Sequence, residues 1–154
     1  MDASYTSNIT EFAIVLAGFS GLVIAIGSKG GKSSPLTKHR TLCLLSFSFA
    51  AAFGSLLPAL ALSFGIPNIW IFSSYGLICI LLVAVSVVHL SARLLLNEEE
   101  RKKLAWYMYI LIYWVNAFLV FLLALMPIAG LFFIALVWQL IVSAILFTRL
   151  ILQS

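Results

Sequence analysis

Residues 104–150 read LAWYMYILIYWVNAFLVFLLALMPIAGLFFIALVWQLIVSAILFTRL, and a single charge, Arg149, falls among these 47 residues. As one helix the stretch would reach about 70 Å at ~1.5 Å per residue, more than twice the ~30 Å hydrocarbon core of a bilayer. Pro127 and Gly130 interrupt it. Proline removes a backbone donor, and glycine is the other common helix breaker. The stretch therefore predicts two membrane spans, 104–126 and 128–150, joined by a tight turn.

Working outward, three more apolar runs precede this pair, at 9–27, 41–64 and 69–94. The whole chain is 64% apolar and 9% charged, against about 45–50% and about 25% in soluble domains. A soluble fold of 154 residues cannot hide that much apolar surface. The expected fold is an all-α integral membrane protein, a five-span helix bundle forming one domain over 1–154, with loops at 28–40 and 95–103. What remains for tails and loops is too short for a separate soluble catalytic or ligand-binding domain.

The basic residues orient the bundle. Lys29, Lys32, Lys38 and Arg40 follow the first run, Arg93, Arg101, Lys102 and Lys103 follow the third, and Arg149 ends the fifth. With five spans all nine fall on one side, whereas four or six would split them. The other side carries Asp2, Glu11 and two turns, 65–68 and 126–130, without charge. Lysine and arginine stay cytoplasmic, so the N-terminus is expected outside and the C-terminus inside, as in a multi-pass protein of a bacterial inner membrane. The net charge of +4 then serves orientation and contact with the anionic inner leaflet rather than nucleic acid. The first eight residues contain no Lys or Arg, unlike a secretory leader, so the first span is expected to remain in the mature protein. Glu98 to Lys103 form a mixed charged surface run, and Asn97 is placed to cap a helix beginning there.

Polar residues within spans are the first place to look for function. Asn116 and Gln139 lie at nearly equal distances before and after Pro127. They are expected at one depth near the midplane, able to hydrogen-bond across spans four and five. They are either structural glue or part of a polar site or pore. Glu11, in the outer turn of span one, is a hydrated carboxylate near a helix N-terminus or, if drawn inward, a proton or cation site. His89 and Arg93 share a helix face and, with His39 and Arg40, make a basic cluster at the inner end. Snorkelling explains that cluster, and so does binding of an anion or lipid headgroup. His39 itself is expected outside the core.

Helices in lipid associate by close backbone approach. Ala13, Ala17, Gly21 and Ala25 recur every four residues in span one, and Ser46, Ala50, Gly54 and Pro58 do so in span two. The two stripes are expected to pack on each other, with Pro58 kinking its helix. Trp106, Tyr107 and Tyr109 are expected to anchor one interface, Trp70 and Tyr75 the other. Cys43 and Cys79 differ in depth by several turns, too far for a disulfide, and are expected to act as small apolar fillers.

The chain carries no phosphate-binding glycine loop, no His-Glu-x-x-His and no Gly-x-Ser-x-Gly. No cofactor or metal is implied. The functional expectation is an oligomeric channel- or transporter-like protomer with its path between protomers, since five helices leave little room for a path of their own. The alternatives are a non-transporting scaffold or accessory subunit of a membrane complex, and an enzyme acting on lipid or quinone. The last lacks a convergent acid–base set. The expected partners are the bilayer and either further copies of the chain or another membrane subunit.

Overall fold

The computed structural model describes residues 34–104 and 106–152, with Glu11, Ile14 and Gly18 ahead of them. Those three are helical and exposed. The remainder of the first apolar run, including Ala13, Ala17, Gly21 and Ala25, lies outside the described residues. Among the described residues there is no strand, and four helices are long and apolar enough to cross a membrane. The chain is a helical multi-pass membrane protein.

Helix α1 spans Pro35–Ser63. The Ser34 hydroxyl accepts from the Thr37 N–H at 3.2 Å, and Pro35 occupies the first turn, where its missing donor costs nothing. These two residues start the helix six positions before the expected 41. Lys38, His39 and Arg40 are therefore helical residues, not loop residues, which corrects the expected 28–40 loop. Helix α1 ends in a Schellman motif. Gly65 has φ +66°, its N–H reaches the Leu62 carbonyl at 3.1 Å, and Ile66 N–H reaches the Ala61 carbonyl at 3.0 Å. Only glycine takes this φ without strain, and so it supplies the turn into the next helix.

Helix α2 covers Ile69–Leu95, with Asn68 as its N-cap. A short helix α3, Glu98–Lys102, opens with a capping box in which Asn97 and Glu100 satisfy each other's backbone N–H. The expected Asn97 cap is thus present. Helix α4 runs Trp106–Leu125 and contains a π-helical turn at Ile110–Trp114. Helix α5 covers Ala129–Leu152, and Pro127 lies in the turn before it.

Helix α1 packs against α2 and α5, and α4 closes the bundle against the same two. Phe47, Leu77, Leu81, Leu123, Phe132 and Leu136 are fully buried between them. The outer face is apolar too: Phe53, Val83, Trp114, Phe118 and Phe121 are all more than half exposed. A large continuous apolar surface around an apolar core is what a protein solvated by hydrocarbon shows.

Gly54 packs differently from the expectation. A Cβ at Gly54 would lie 2.7 Å from a Leu77 methyl and 2.9 Å from a Leu136 methyl. Its missing side chain therefore lets α2 and α5 approach α1. Ala50 and Pro58 on the same stripe are buried as well. The α1 stripe thus serves the interior of the four-helix bundle. Its expected partner, span one, lies outside the described residues apart from three exposed positions.

Two smaller expectations concern Trp70 and Cys79. Trp70, expected at an interface, also packs its ring on Phe132 and Phe133 at 5.8 and 6.0 Å. Cys79 is no interior filler. It is exposed, and both cysteines are free.

Candidate functional site

The basic residues of α1, α2, α3 and α5 gather at one end of the bundle around a cavity of about 560 Å³. Arg40 stands on α1, Arg93 on α2, Arg101 on α3 and Arg149 on α5, and all four line it. None of the described lining residues is acidic. Deeper along α1, α2 and α5 than their arginines, toward the middle of the bundle, lie the lining residues Cys43, Val88 and Leu146. Ile112 of α4 completes this floor, and each of the four is no more than 6% exposed. One wall is aromatic, made by Trp106, Tyr109 and Tyr113. The cavity is a funnel with a basic rim and an apolar floor.

Several contacts fix the rim. Arg101 donates from Nη2 to the Arg93 carbonyl at 3.0 Å, holding α3 over the end of α2. The Arg149 guanidinium lies 5.5 Å from the Tyr107 ring centroid, a cation–π contact. His89 meets the Tyr113 ring edge-on at 6.3 Å. Tyr109 and Tyr113 have ring centroids 4.4 Å apart across the π turn. A π turn widens the helix locally and often marks a functional position. Here it brings Tyr109, Ile110, Ile112 and Tyr113 of one helix to the same cavity.

His39, expected outside the hydrocarbon core, is buried within the protein. It is 5% exposed, and its Nδ1 lies 2.7 Å from Ser91 Oγ. The Ser91 hydroxyl donates to the Val88 carbonyl at 2.8 Å. Its one hydrogen is therefore committed, so Nδ1–H of His39 donates to Ser91 Oγ. In the neutral ring Nε2 is then the acceptor, and it lies 3.6 Å from Cys43 Sγ. The Ser91–His39–Cys43 chain ties α2 to α1 at the edge of the funnel.

At mid-depth the second polar feature appears. Gln139 Nε2 donates to Asn116 Oδ1 at 2.7 Å, and Asn116 Nδ2 donates to the Ile112 carbonyl at 2.7 Å. The two amides sit at one depth and meet across α4 and α5. Both are buried, and Gln139 Oε1 has no hydrogen-bond partner. Ser48 and Ser143 also hold buried hydroxyls without partners.

Of the residues singled out from the sequence, the structure brings Arg40, His89 and Arg93 to one cavity and joins Asn116 to Gln139. Glu11 is exposed and does not line the basic cavity. Sequence reasoning missed Arg101, Arg149, Cys43 and Tyr113 as partners of the basic cluster. The charge sorting placed both arginines at the right end, and the four-residue spacing of His39 and Cys43 put them on one face. Neither signal says that four helix ends converge. Among the described residues no cluster of His, Cys, Asp and Glu is suited to a metal ion. No protein-family model, curated protein or solved structure matches the chain.

Proposed function

We propose that this chain is a five-span protein of the bacterial inner-membrane type, N-terminus outside and C-terminus cytoplasmic, that binds an oxyanion in the funnel at its cytoplasmic end. The observation that carries this reading is the set of four guanidinium groups around one cavity with no carboxylate among its described lining residues. Arg40 and Arg149 lie close enough for their like charges to repel, and an anion held between them would relieve that repulsion. A guanidinium fork matches the oxygens of a phosphoryl or similar group in paired hydrogen bonds. Four such forks favour a head with more than one negative charge.

The orientation rests on the sorting of Lys and Arg, which puts the funnel at the cytoplasmic surface. A path between protomers, the first expectation from the sequence, draws no support from Asn116 and Gln139. Gln139 Nε2 and Asn116 Oδ1 are paired with each other and Asn116 Nδ2 with the Ile112 carbonyl, all inside one protomer. Such a path would need other residues to line it.

The test is equilibrium binding of pyrophosphate to the purified full chain in a neutral maltoside detergent. Saturable binding that weakens with salt, and that falls about tenfold in Arg93→Gln, is expected, since charge-assisted hydrogen bonds are worth about 1.5–3 kcal/mol. Binding unchanged in both Arg93→Gln and Arg149→Gln would overturn the reading.

A further inference from the structure

The funnel is more than an anion site, because most of its surface is apolar. Below the rim the lining is Cys43, Val88, Met108, Ile112 and Leu146, all buried. A free inorganic anion has no use for such a floor. Burying this surface under water would forgo the transfer free energy that a hydrocarbon chain gains there.

The lining also reaches the surface of the bundle. Between the end of α2 and the start of α4 it includes His89, Ala92 and Arg93 on one side and Trp106, Tyr109 and Ile110 on the other. Trp106 is 75% exposed and Tyr109 57%, and the His89–Tyr113 ring contact joins the same two helices. The cavity therefore runs as a slot from the basic rim to the exposed rings of Trp106 and Tyr109. The cavity of about 560 Å³ is in the usual range for a small ligand, about 300–1,000 Å³. That is room for a head and part of one chain.

We propose that the funnel holds a phosphate-headed lipid drawn sideways from the inner leaflet. Its phosphate sits among Arg40, Arg93, Arg101 and Arg149, and one hydrocarbon chain lies along the slot onto the Val88–Ile112–Leu146 floor. This rests on the anion-site reading above and goes beyond it by naming the ligand class. Trp106 and Tyr109 line the entrance.

The experiment compares three probes on the same full-length protein in maltoside micelles: palmitoyl lysophosphatidic acid, glycerol phosphate and monopalmitoylglycerol. They carry head and chain, head alone, and chain alone. Each buried methylene is worth roughly fourfold in affinity, so the lysolipid should bind at least about a hundredfold more tightly than glycerol phosphate. It should exceed monopalmitoylglycerol by at least about tenfold, the contribution of the charged head. Ala92→Leu, at a half-buried lining position, should weaken the lysolipid by a larger factor than glycerol phosphate. Equal affinity for glycerol phosphate and the lysolipid would overturn the lipid inference while leaving the anion site standing. Equal affinity for monopalmitoylglycerol and the lysolipid, or no binding of either charged probe, would overturn both.

Discussion

Asn116→Leu should destabilise this protein more than Gln139→Leu, although the two residues share one hydrogen bond. The reason lies in what each change leaves behind. Gln139 uses only Nε2, on Asn116 Oδ1, while its Oε1 is already unpaired in the bundle interior. Replacing Gln139 with Leu orphans Asn116 Oδ1 but removes one existing orphan. Asn116 Nδ2 keeps its bond to the Ile112 carbonyl. Replacing Asn116 with Leu instead leaves both ends of the Gln139 amide unpaired. An orphaned buried polar group costs about 1–3 kcal/mol, and an interhelical hydrogen bond in a membrane is worth about 0.6 kcal/mol, at most about 1.7. Gln139→Leu should therefore cost from about 0 to 2 kcal/mol and Asn116→Leu roughly 2–4 kcal/mol. The double change, which removes every group of the pair, should cost less than Asn116→Leu alone. Unfolding of the purified variants in mixed maltoside and dodecyl sulfate micelles, followed by tryptophan fluorescence, measures these differences. Gln139→Leu costing as much as Asn116→Leu, or strictly additive costs, would refute the hydrogen-bond assignment and the depth match it expresses.

Gly54→Ala should destabilise by about 1–3 kcal/mol through overpacking against Leu77 and Leu136, less the ~1 kcal/mol that alanine gains in a helix. Gly76→Ala, whose Cβ would meet only the half-buried Leu57 at 3.0 Å, should be near neutral in the same unfolding assay. Ser91→Ala leaves the buried His39 Nδ1–H without an acceptor and should cost about 1–3 kcal/mol; an unchanged midpoint would remove the Ser91–His39 bond from the account. In a background lacking Cys43 and Cys79, single cysteines at Asp2 and Asn68 should react with an impermeant thiol reagent from outside, and one at Glu99 only after the cytoplasmic face is opened. Labelling of Glu99→Cys from outside would reverse the orientation, and protection of Asp2→Cys together with outside labelling at Asn68 would remove the first span.

Helix number and placement in the described part were legible because they follow from one-dimensional constraints. A run of ~20 apolar residues has few places to go but a bilayer, and Pro127, Gly65 and Asn97 punctuate the chain where their backbone chemistry requires it. The depth match of Asn116 and Gln139 was legible for the same reason, because a tight turn fixes the register of two antiparallel helices. The start of α1 was not: Ser34 and Pro35 are a strong helix start, but the basic residues after them also suit a loop. What the sequence alone could not decide was which faces meet. The small-residue stripe of α1 fits any close neighbour, and only packing assigned it to Leu77 and Leu136 of α2 and α5. The funnel is the same kind of fact. Arginines 40, 93, 101 and 149 are far apart along the chain, and charge sorting puts them at one end without setting their distances. Their convergence on one cavity depends on how four helix ends splay around the π turn of α4, which follows from the fit of side chains in three dimensions and leaves no periodic trace in the sequence.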